Sequence, residues 1–389
     1  MNYLLNKYFI IVFFIILICF LFFPLEHFLK EEKFPTPELL KQNVEFWKKI
    51  YTQVSLDEGL LHDRLYPQIV YEKISIKDKK RKEQRDFIKA KKENIRITLV
   101  RLACKGPNSE YSKEEKRIFN LFKKYAKQYN FNKAVNQIRF QRGQKQRFLA
   151  GLERSGKYLY EIRNILRQYN IPLKLAYLPH VESSFNSHAH SKAGASGLWQ
   201  FIRSTGRDFL TIRKYIDERR DPILSTVAAA KLLKRNYKAI ESWPLAITAY
   251  NYGLGGIKRA VKSTGSKDIA TIIKKHKSRS FQFASINFYS CFLAASEIAE
   301  NHDQYFENIN FQPPEIRQKI ILKQRIKVRK LCNMFDLSLK AFKKCNPSIK
   351  RSFYYRNRYL SKGQNIFLPI SVDLKKTFFK KAFFQKSYQ

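Results

Sequence analysis

The stretch from Tyr177 to Arg203, YLPHVESSFNSHAHSKAGASGLWQFIR, concentrates the residue types that do chemistry. Glu182 closes a short apolar segment. Small polar residues follow it, then a glycine-rich loop, and no other acid occurs before Asp208. A carboxyl group set against apolar neighbours has its charged form disfavoured. Its pKa rises and it keeps a proton at neutral pH, as a general acid must. The residue type alone leaves an ordinary alternative open, because a lone glutamate is commonly a helix cap or half of a salt bridge, and such networks perturb pKa too. Metal chemistry is not indicated. The five cysteines (Cys19, Cys104, Cys291, Cys332, Cys345) form no CxxC pair and show no metal-ligand spacing, so neither metal nor cofactor is expected. They read as scattered small buried residues, with a Cys332–Cys345 bridge as the alternative.

Three blocks in fixed order carry a family resemblance. They are Glu182-Ser183; Ser191 followed by GASGLWQ (Gly194 to Gln200), nine residues past the glutamate; and AYNYG (Ala249 to Gly253). Together they resemble the family 1 lytic transglycosylases, the soluble lytic transglycosylase or goose-lysozyme-like domain, whose own blocks read GLMQ and AYNAG. The resemblance covers about residues 140–300 and is closest to the membrane-bound type D group. It implies that Glu182 is the catalytic acid and base. It implies that Ser183, Ser191, Gln200, Tyr250 and Asn251 line the substrate site, with Ser191 near the substrate acetamido group. Ordinary readings stand beside these: Ser191 as a helix cap, Trp199 and Phe201 as core, Tyr250 as a packed helix residue. Trp199 replaces the usual methionine. Tyr252 replaces a small residue, could narrow the cleft, and is left out of the expected site.

The chemistry the resemblance implies follows from counting carboxylates. Most glycosidases use two, and this motif supplies one. Glu182 would protonate the glycosidic oxygen between N-acetylmuramic acid and N-acetylglucosamine. The muramic acetamido oxygen would stabilise the cationic centre, and the C6 hydroxyl would close a 1,6-anhydro ring. A second acid near the cleft (Asp208, Asp217 or Asp221) would favour lysozyme-like hydrolysis instead. A non-catalytic wall-binding scaffold is the alternative from another class.

The elements that must position these residues read as helices. Apolar residues recur at helical spacing over 112–170, as in Ile118, Leu121, Phe122 and Tyr125. Pro172 opens a short helix through Glu182, Asp221-Pro222 starts a longer one, and Trp243-Pro244 another. Gly253, Gly255 and Gly256 break the last of these, and Phe281 to Ala299 forms a final apolar helix. Residues 112–305 are thus predicted to be one all-α domain, which the resemblance implies is the lysozyme-like catalytic domain. Residues 26–111 are predicted to be a juxtamembrane and basic helical region, with the charge run at 77–93 as a solvated face or linker. Residues 315–370 read strand, helix, helix, strand. That small α+β module resembles a divergent LysM domain through Asn346-Pro347 and LSKGQNIFLP, although a simple structural cap reads nearly as well. The tail 371–389 is basic and aromatic.

At the other end, Tyr8 to Pro24 is almost wholly apolar, preceded by Lys7 and followed by Glu31 and Glu32. That pattern predicts an uncleaved anchor within residues 1–25 and a body outside the cytoplasm, on the periplasmic side. The formal charge of +43, from 75 Lys+Arg against 32 Asp+Glu, favours polyanionic partners. The composition bias of an AT-rich genome is an equal explanation. Export argues against nucleic acid and leaves anionic lipid headgroups or an anionic cell-wall polymer. The resemblance implies peptidoglycan glycan strands as the partner, with the membrane held through the anchor.

Overall fold

The computed structural model describes residues 33–105, 109–125, 129–355, 358–372 and 384–386. The chain divides into two compact units, Met1–Thr36 and Pro37–Gln389. The expected anchor at 1–25, including Cys19, lies outside the described residues. Among the described residues no helix is long and apolar enough to cross a membrane.

The second unit begins with helix α1 (Glu38–Thr52), entered through Pro37. Leu40, Val44, Trp47 and Tyr51 recur every three or four residues and give it one buried stripe. That stripe lies on α13 (Phe283–Glu300), which is buried along nearly its whole length. Polar pairs fix the register. Trp47 Nε1 and Asn43 Nδ2 donate to Asn287 Oδ1 at 3.3 and 3.4 Å, and Lys48 meets Glu297 at 2.6 Å.

Residues 26–111 are not wholly helical, and the following domain is not purely α. Strands β1 (Glu58–Asp63) and β2 (Val70–Ser75) form an antiparallel hairpin, and β3 (Ile138–Arg142) pairs with the other side of β1. The register shifts between Leu61 and His62, which marks a bulge. The alternation in VYEKIS was the legible strand signal, and the surrounding charge obscured it. Helix α2 (Arg81–Cys104) carries the charge run. It buries Ile95, Leu99 and Leu102 in its second half, so its first half is a solvated face.

The helical body comprises α3 (Lys113–Phe122), α4 (Phe131–Ala134), α5 (Lys145–Ser155), α6 (Leu159–Gln168) and α7 (Leu178–Ser183). It continues through α8 (Arg203–Arg207), α9 (Pro222–Ile240), α10 (Trp243–Tyr252), α11 (Leu254–Thr264) and α12 (Ile269–Lys275) to α13. Asp221 caps α9 by accepting from the backbone N–H groups of Ile223 and Leu224, with Pro222 at the first helical position. Ala228, Ala229 and Ala230 are buried and let neighbouring helices approach α9 closely. The predicted glycine break is narrower than expected. Only Gly253 interrupts, with φ +88°, whereas Gly255 and Gly256 lie inside α11. A Cβ on Gly256 would sit 2.5 Å from the ring of Tyr252, so that glycine makes room for the tyrosine.

The C-terminal module is built as strand β4 (Arg317–Leu322), β5 (Ile326–Lys327), α14 (Val328–Met334), α15 (Leu339–Cys345), α16 (Arg351–Tyr355), β6 (Tyr359–Leu360) and β7 (Asn365–Pro369). β4 pairs antiparallel with β7 and, on its other edge, with β8 (Phe384–Lys386) from the tail. Asn346 ties α15 to β7: its Nδ2 donates to the carbonyls of Phe342 and Phe367, and its Oδ1 accepts from Phe367 N–H. Cys332 and Cys345 are buried free thiols, not a disulfide, and Cys104 is exposed rather than buried. The module docks on the helical body. Arg317 reaches Asp221 at 3.0 Å, with side-chain exposures of 3% and 0%. Beside that pair, Asp217 N–H donates to Ser348 O and Lys350 N–H to Tyr215 O.

Removing one partner of a buried ion pair leaves the other charge without compensation. Arg317→Ala is therefore expected to lower unfolding free energy by about 3 kcal/mol, measured by denaturant titration beside the unsubstituted protein.

Candidate active site

Glu182 lies at the end of α7, a six-residue helix that follows a 3₁₀ turn over Leu173–Tyr177. Leu178, Pro179 and His180 are buried and anchor it. The chain then leaves through two consecutive left-handed residues, Ser184 (φ 50°) and Phe185 (φ 54°), an uncommon conformation for side-chain-bearing residues. Several contacts hold them there. Arg154 donates from Nε and Nη2 to Ser184 O at 3.1 and 2.7 Å. Phe185 N–H donates to Pro179 O at 3.1 Å. Phe185 packs on His180, which stacks on Phe148 of α5 with ring centroids 4.9 Å apart. A Cβ on Gly151 would lie 3.1 Å from Ser184 O, so α5 presses directly against this turn. Burial pushes the His180 imidazole down to about 3. It is neutral and serves as one ring in an aromatic stack.

Glu182 itself is partly open to solvent, and among the described residues it makes no hydrogen bond and no ion pair. Its carboxyl is pushed up to about 8, and burial is the sole cause. Two phenols sense it. Tyr250 of α10 is held well above the usual tyrosine range by burial and then by the Glu182 charge. Tyr51 of α1 is held up by burial, by the Cys291 thiol and then by Glu182. The Tyr250 hydroxyl donates to Trp199 O at 2.8 Å.

The glycine-rich loop is a folded unit beside them. Ser191 Oγ accepts from Ala195 N–H at 3.0 Å, and Ser191 N–H donates to Ala195 O. Gln200 Nε2 donates to Gly197 O at 2.8 Å and Ala189 O at 3.3 Å. Trp199 is fully buried, with Nε1 on Thr226 Oγ1. Arg219 locks the loop from beneath. Its guanidinium makes two 2.8 Å bonds to Asp217 and donates to Gly194 O and Phe201 O. Gly197 has φ +82°, and a Cβ there would fall 1.8 Å from Arg219 O. No side chain fits that crossing. Ser183 Oγ donates to Leu198 O at 2.7 Å and joins α7 to the loop.

The expected site residues therefore divide. Glu182, Ser183 and Tyr250 converge on the junction of α7, α10 and the loop. Ser191 and Gln200 make their bonds within the loop, and Asn251, exposed, accepts from Ser285 Oγ at 2.8 Å. Tyr252 is occupied elsewhere: its ring packs on Phe281, and its hydroxyl lies 3.3 and 3.2 Å from Ser278 and Ser280. The three acids that might have joined Glu182 are each paired with an arginine: Asp208 with Arg235, Asp217 with Arg219, Asp221 with Arg317. Tyr51, Arg154 and the Asp217–Arg219 latch were missed in the sequence. Tyr51 gave no signal beyond a helix-spaced aromatic.

The family described as transglycosylase SLT domain matches residues 161–273, which span Glu182 through Gly253. Membrane-bound lytic murein transglycosylase D of Escherichia coli K12 is 30% identical over 54% of this chain and 48% of its own length. The chain thus spans about half of that relative. A protein of Alteromonas sp. strain M-1 named for tributyltin chloride resistance is 34% identical over 36% of this chain and 68% of its own. Among solved structures, an inactive mutant of lytic transglycosylase Slt from Pseudomonas aeruginosa aligns over 40% of this chain and 25% of its own. Its identity is 19% and its TM-score 0.32, too loose a likeness to carry argument.

A carboxyl whose pKa rises on folding makes the fold less stable as pH climbs from its unfolded value, near 4.5, to its folded value, near 8. Below that window the native state loses nothing. Glu182→Gln is neutral throughout. It is therefore expected to match the unsubstituted protein in stability at pH 4 and exceed it increasingly toward pH 8, by about 1.4 kcal/mol for each unit of pKa difference. Denaturant titrations across that range measure the gap.

Proposed function

The chain belongs to the transglycosylase SLT-domain family, and from that premise we propose that it is a peptidoglycan lytic transglycosylase in which Glu182 is acid and base in turn. The observation that carries this reading is a carboxyl raised to about 8 by enclosure alone, with no partner to neutralise it. Such a group is protonated at neutral pH and ready to donate. Once it has donated, its anion is poorly solvated and takes a proton back readily. One side chain can therefore serve both halves of the reaction.

Glu182 gives its proton to the oxygen linking N-acetylmuramic acid to N-acetylglucosamine, and the C1–O bond breaks. The muramic acetamido oxygen supports the positive charge on C1. The ionised Glu182 then removes the C6 hydroxyl proton, and O6 bonds to C1. The products are a new N-acetylglucosamine end and a 1,6-anhydromuramic end. Glu182 is again protonated, and no water is consumed. The nucleophile belongs to the same sugar, so proximity favours ring closure. Asp208, Asp217 and Asp221 are held in arginine pairs, which supports a mechanism without a second carboxylate. Ser183, Ser191, Gln200, Tyr250 and Asn251 are proposed to line the groove. Ser191 and Gln200 do so by shaping the loop, and Tyr250 by standing beside the carboxyl.

The proposed layout places an anchor at 1–25, the catalytic domain at 112–305, and a LysM-like module at 315–370. The catalytic domain lies on the outer, periplasmic side of a membrane. The apolar run behind Lys7 supports this, as does the membrane-bound description of the relatives.

Digestion of purified peptidoglycan followed by mass analysis of the muropeptides tests the reaction. Anhydro ends are expected. Reducing ends would make the enzyme a hydrolase, and no release would leave a binding protein. Glu182→Gln should lower the rate by about 10³-fold, the usual scale of general acid–base catalysis. The rate should also fall as pH rises through about 8, where the acid form is lost.

A further inference from the structure

A concave region lies between the C-terminal module and the segment that follows the Ser184–Phe185 turn, with a cavity volume of about 400 Å³. Six basic side chains line it: Arg154, Lys157 and Arg220 from the helical body, and Lys343, Lys344 and Arg351 from the module. Among the described lining residues Glu315 is the only acid. Five of the six basic side chains carry no counter-charge within ion-pair distance among the described residues. Among the described residues, Arg154, Lys157, Arg220, Lys343 and Lys344 make no ion pair, and neither does Glu315. Of the Arg154 guanidinium, Nε and Nη2 are spent on Ser184 O, and Nη1 has no hydrogen-bond partner among the described residues. Positive charge collected in a concavity and left uncompensated is a site for anions, and guanidinium groups favour carboxylates and phosphates in particular. The wall is not wholly polar. Phe185, Tyr158 and Ile349 contribute apolar surface, enough for the aliphatic part of a small ligand in a cavity of ligand size.

The location narrows the ligand. Residues 185–188, which begin three positions after Glu182, form one side of the cavity. An occupant touches the same turn that carries the carboxyl. If the chain cleaves peptidoglycan, as proposed above, the substrate itself brings anions to this place. A short peptide hangs from the lactyl group of each muramic residue, and an uncross-linked stem bears free carboxylates. We propose that this cavity is a subsite for the carboxylate-bearing peptide stem of the strand being cut, with the module supplying half of its basic wall. This gives the module a part in substrate recognition separate from any contact with sugar.

The test uses the full chain in detergent. Lys343→Gln/Lys344→Gln changes the module side, and Arg220→Gln independently changes the other side. Cleavage is measured on stem-bearing glycan strands and on strands stripped of peptide by an amidase. For stem-bearing strands each variant should raise KM about tenfold, the scale of one lost charge-assisted contact. For stripped strands both should match the unsubstituted enzyme. Separately, Glu182→Gln protein is titrated calorimetrically with a free stem tetrapeptide and with inorganic phosphate. Saturable peptide binding that the charge substitutions weaken about tenfold supports the subsite. Variants indistinguishable from the parent on both substrates and in peptide affinity would overturn it, as would phosphate binding as tightly as peptide. If the parent enzyme cleaves neither substrate, the catalytic reading alone has failed, and the calorimetry still decides the subsite.

Discussion

A carboxyl group enclosed without a partner is an expense that the surrounding structure has to carry. Glu182 accepts no hydrogen bond and meets no cation among the described residues, yet it sits at the end of a helix flanked by two strained residues. Left to itself such a group would rotate toward water or capture an arginine. It stays because the backbone on either side is determined by other contacts. Leu178, Pro179 and His180 are buried ahead of it, and the Arg154 guanidinium pins Ser184 O behind it. Arg154 binds the backbone of the turn and makes no ion pair with Glu182. A guanidinium brought to the carboxyl would lower its pKa and remove the acid. The same guanidinium placed on the next carbonyl fixes the geometry and leaves the pKa high.

The second support works from the opposite wall. Arg219 and Asp217 form a buried pair whose spare donors take the carbonyls of Gly194 and Phe201, the two ends of the glycine-rich loop. A buried pair of this kind contributes little net stability, because desolvation offsets its attraction. Its use here is positional: two bonds to Asp217 orient the guanidinium, and two more place a loop that has little side-chain bulk of its own. Gly197 must cross directly over Arg219 O, so the loop requires glycine at that point. Trp199 then fills the core behind the loop and presents its carbonyl to Tyr250. The loop, α10 and α7 thereby share one set of contacts, and displacement of any one moves the wall facing Glu182.

Much of this was legible in the sequence, for identifiable reasons. Asp221-Pro222 and Trp243-Pro244 announce helix starts because proline and capping side chains act locally. Asn346-Pro347 marks the end of α15 because Asn346 does bond across to β7. The three blocks around Glu182, Ser191 to Gln200 and Ala249 to Gly253 were visible through their resemblance to a known family, and the positive φ at Gly194, Gly197 and Gly253 shows why glycine stands at those points. The missed features share one trait, which is that they depend on contacts distant in sequence. Tyr51 reaches the site from a helix 131 positions before Glu182 only because α1 docks on α13. The β1–β2–β3 sheet closes with a strand more than sixty positions beyond its hairpin, and no local pattern states that pairing. Tyr252 looked like an intrusion into the cleft, but Gly256 one turn on accommodates its ring.

The distribution of acids completes the physical picture. In a chain this basic, carboxylates are readily drawn into pairs with arginine, and Asp208, Asp217 and Asp221 all are. Glu182 escapes: burial alone sets its pKa, Tyr51 and Tyr250 are the groups that sense its charge, and Arg154 is committed to Ser184 O. The same arrangement leaves positive charge unpaired a few residues away, where Arg154, Lys157 and Arg220 face Lys343 and Lys344 across the module boundary. Withholding cations from the acid and gathering them beside it are two results of one local layout. The strained turn at Ser184 and Phe185 is where the two meet, because Arg154 holds its backbone and Glu182 lies just before it.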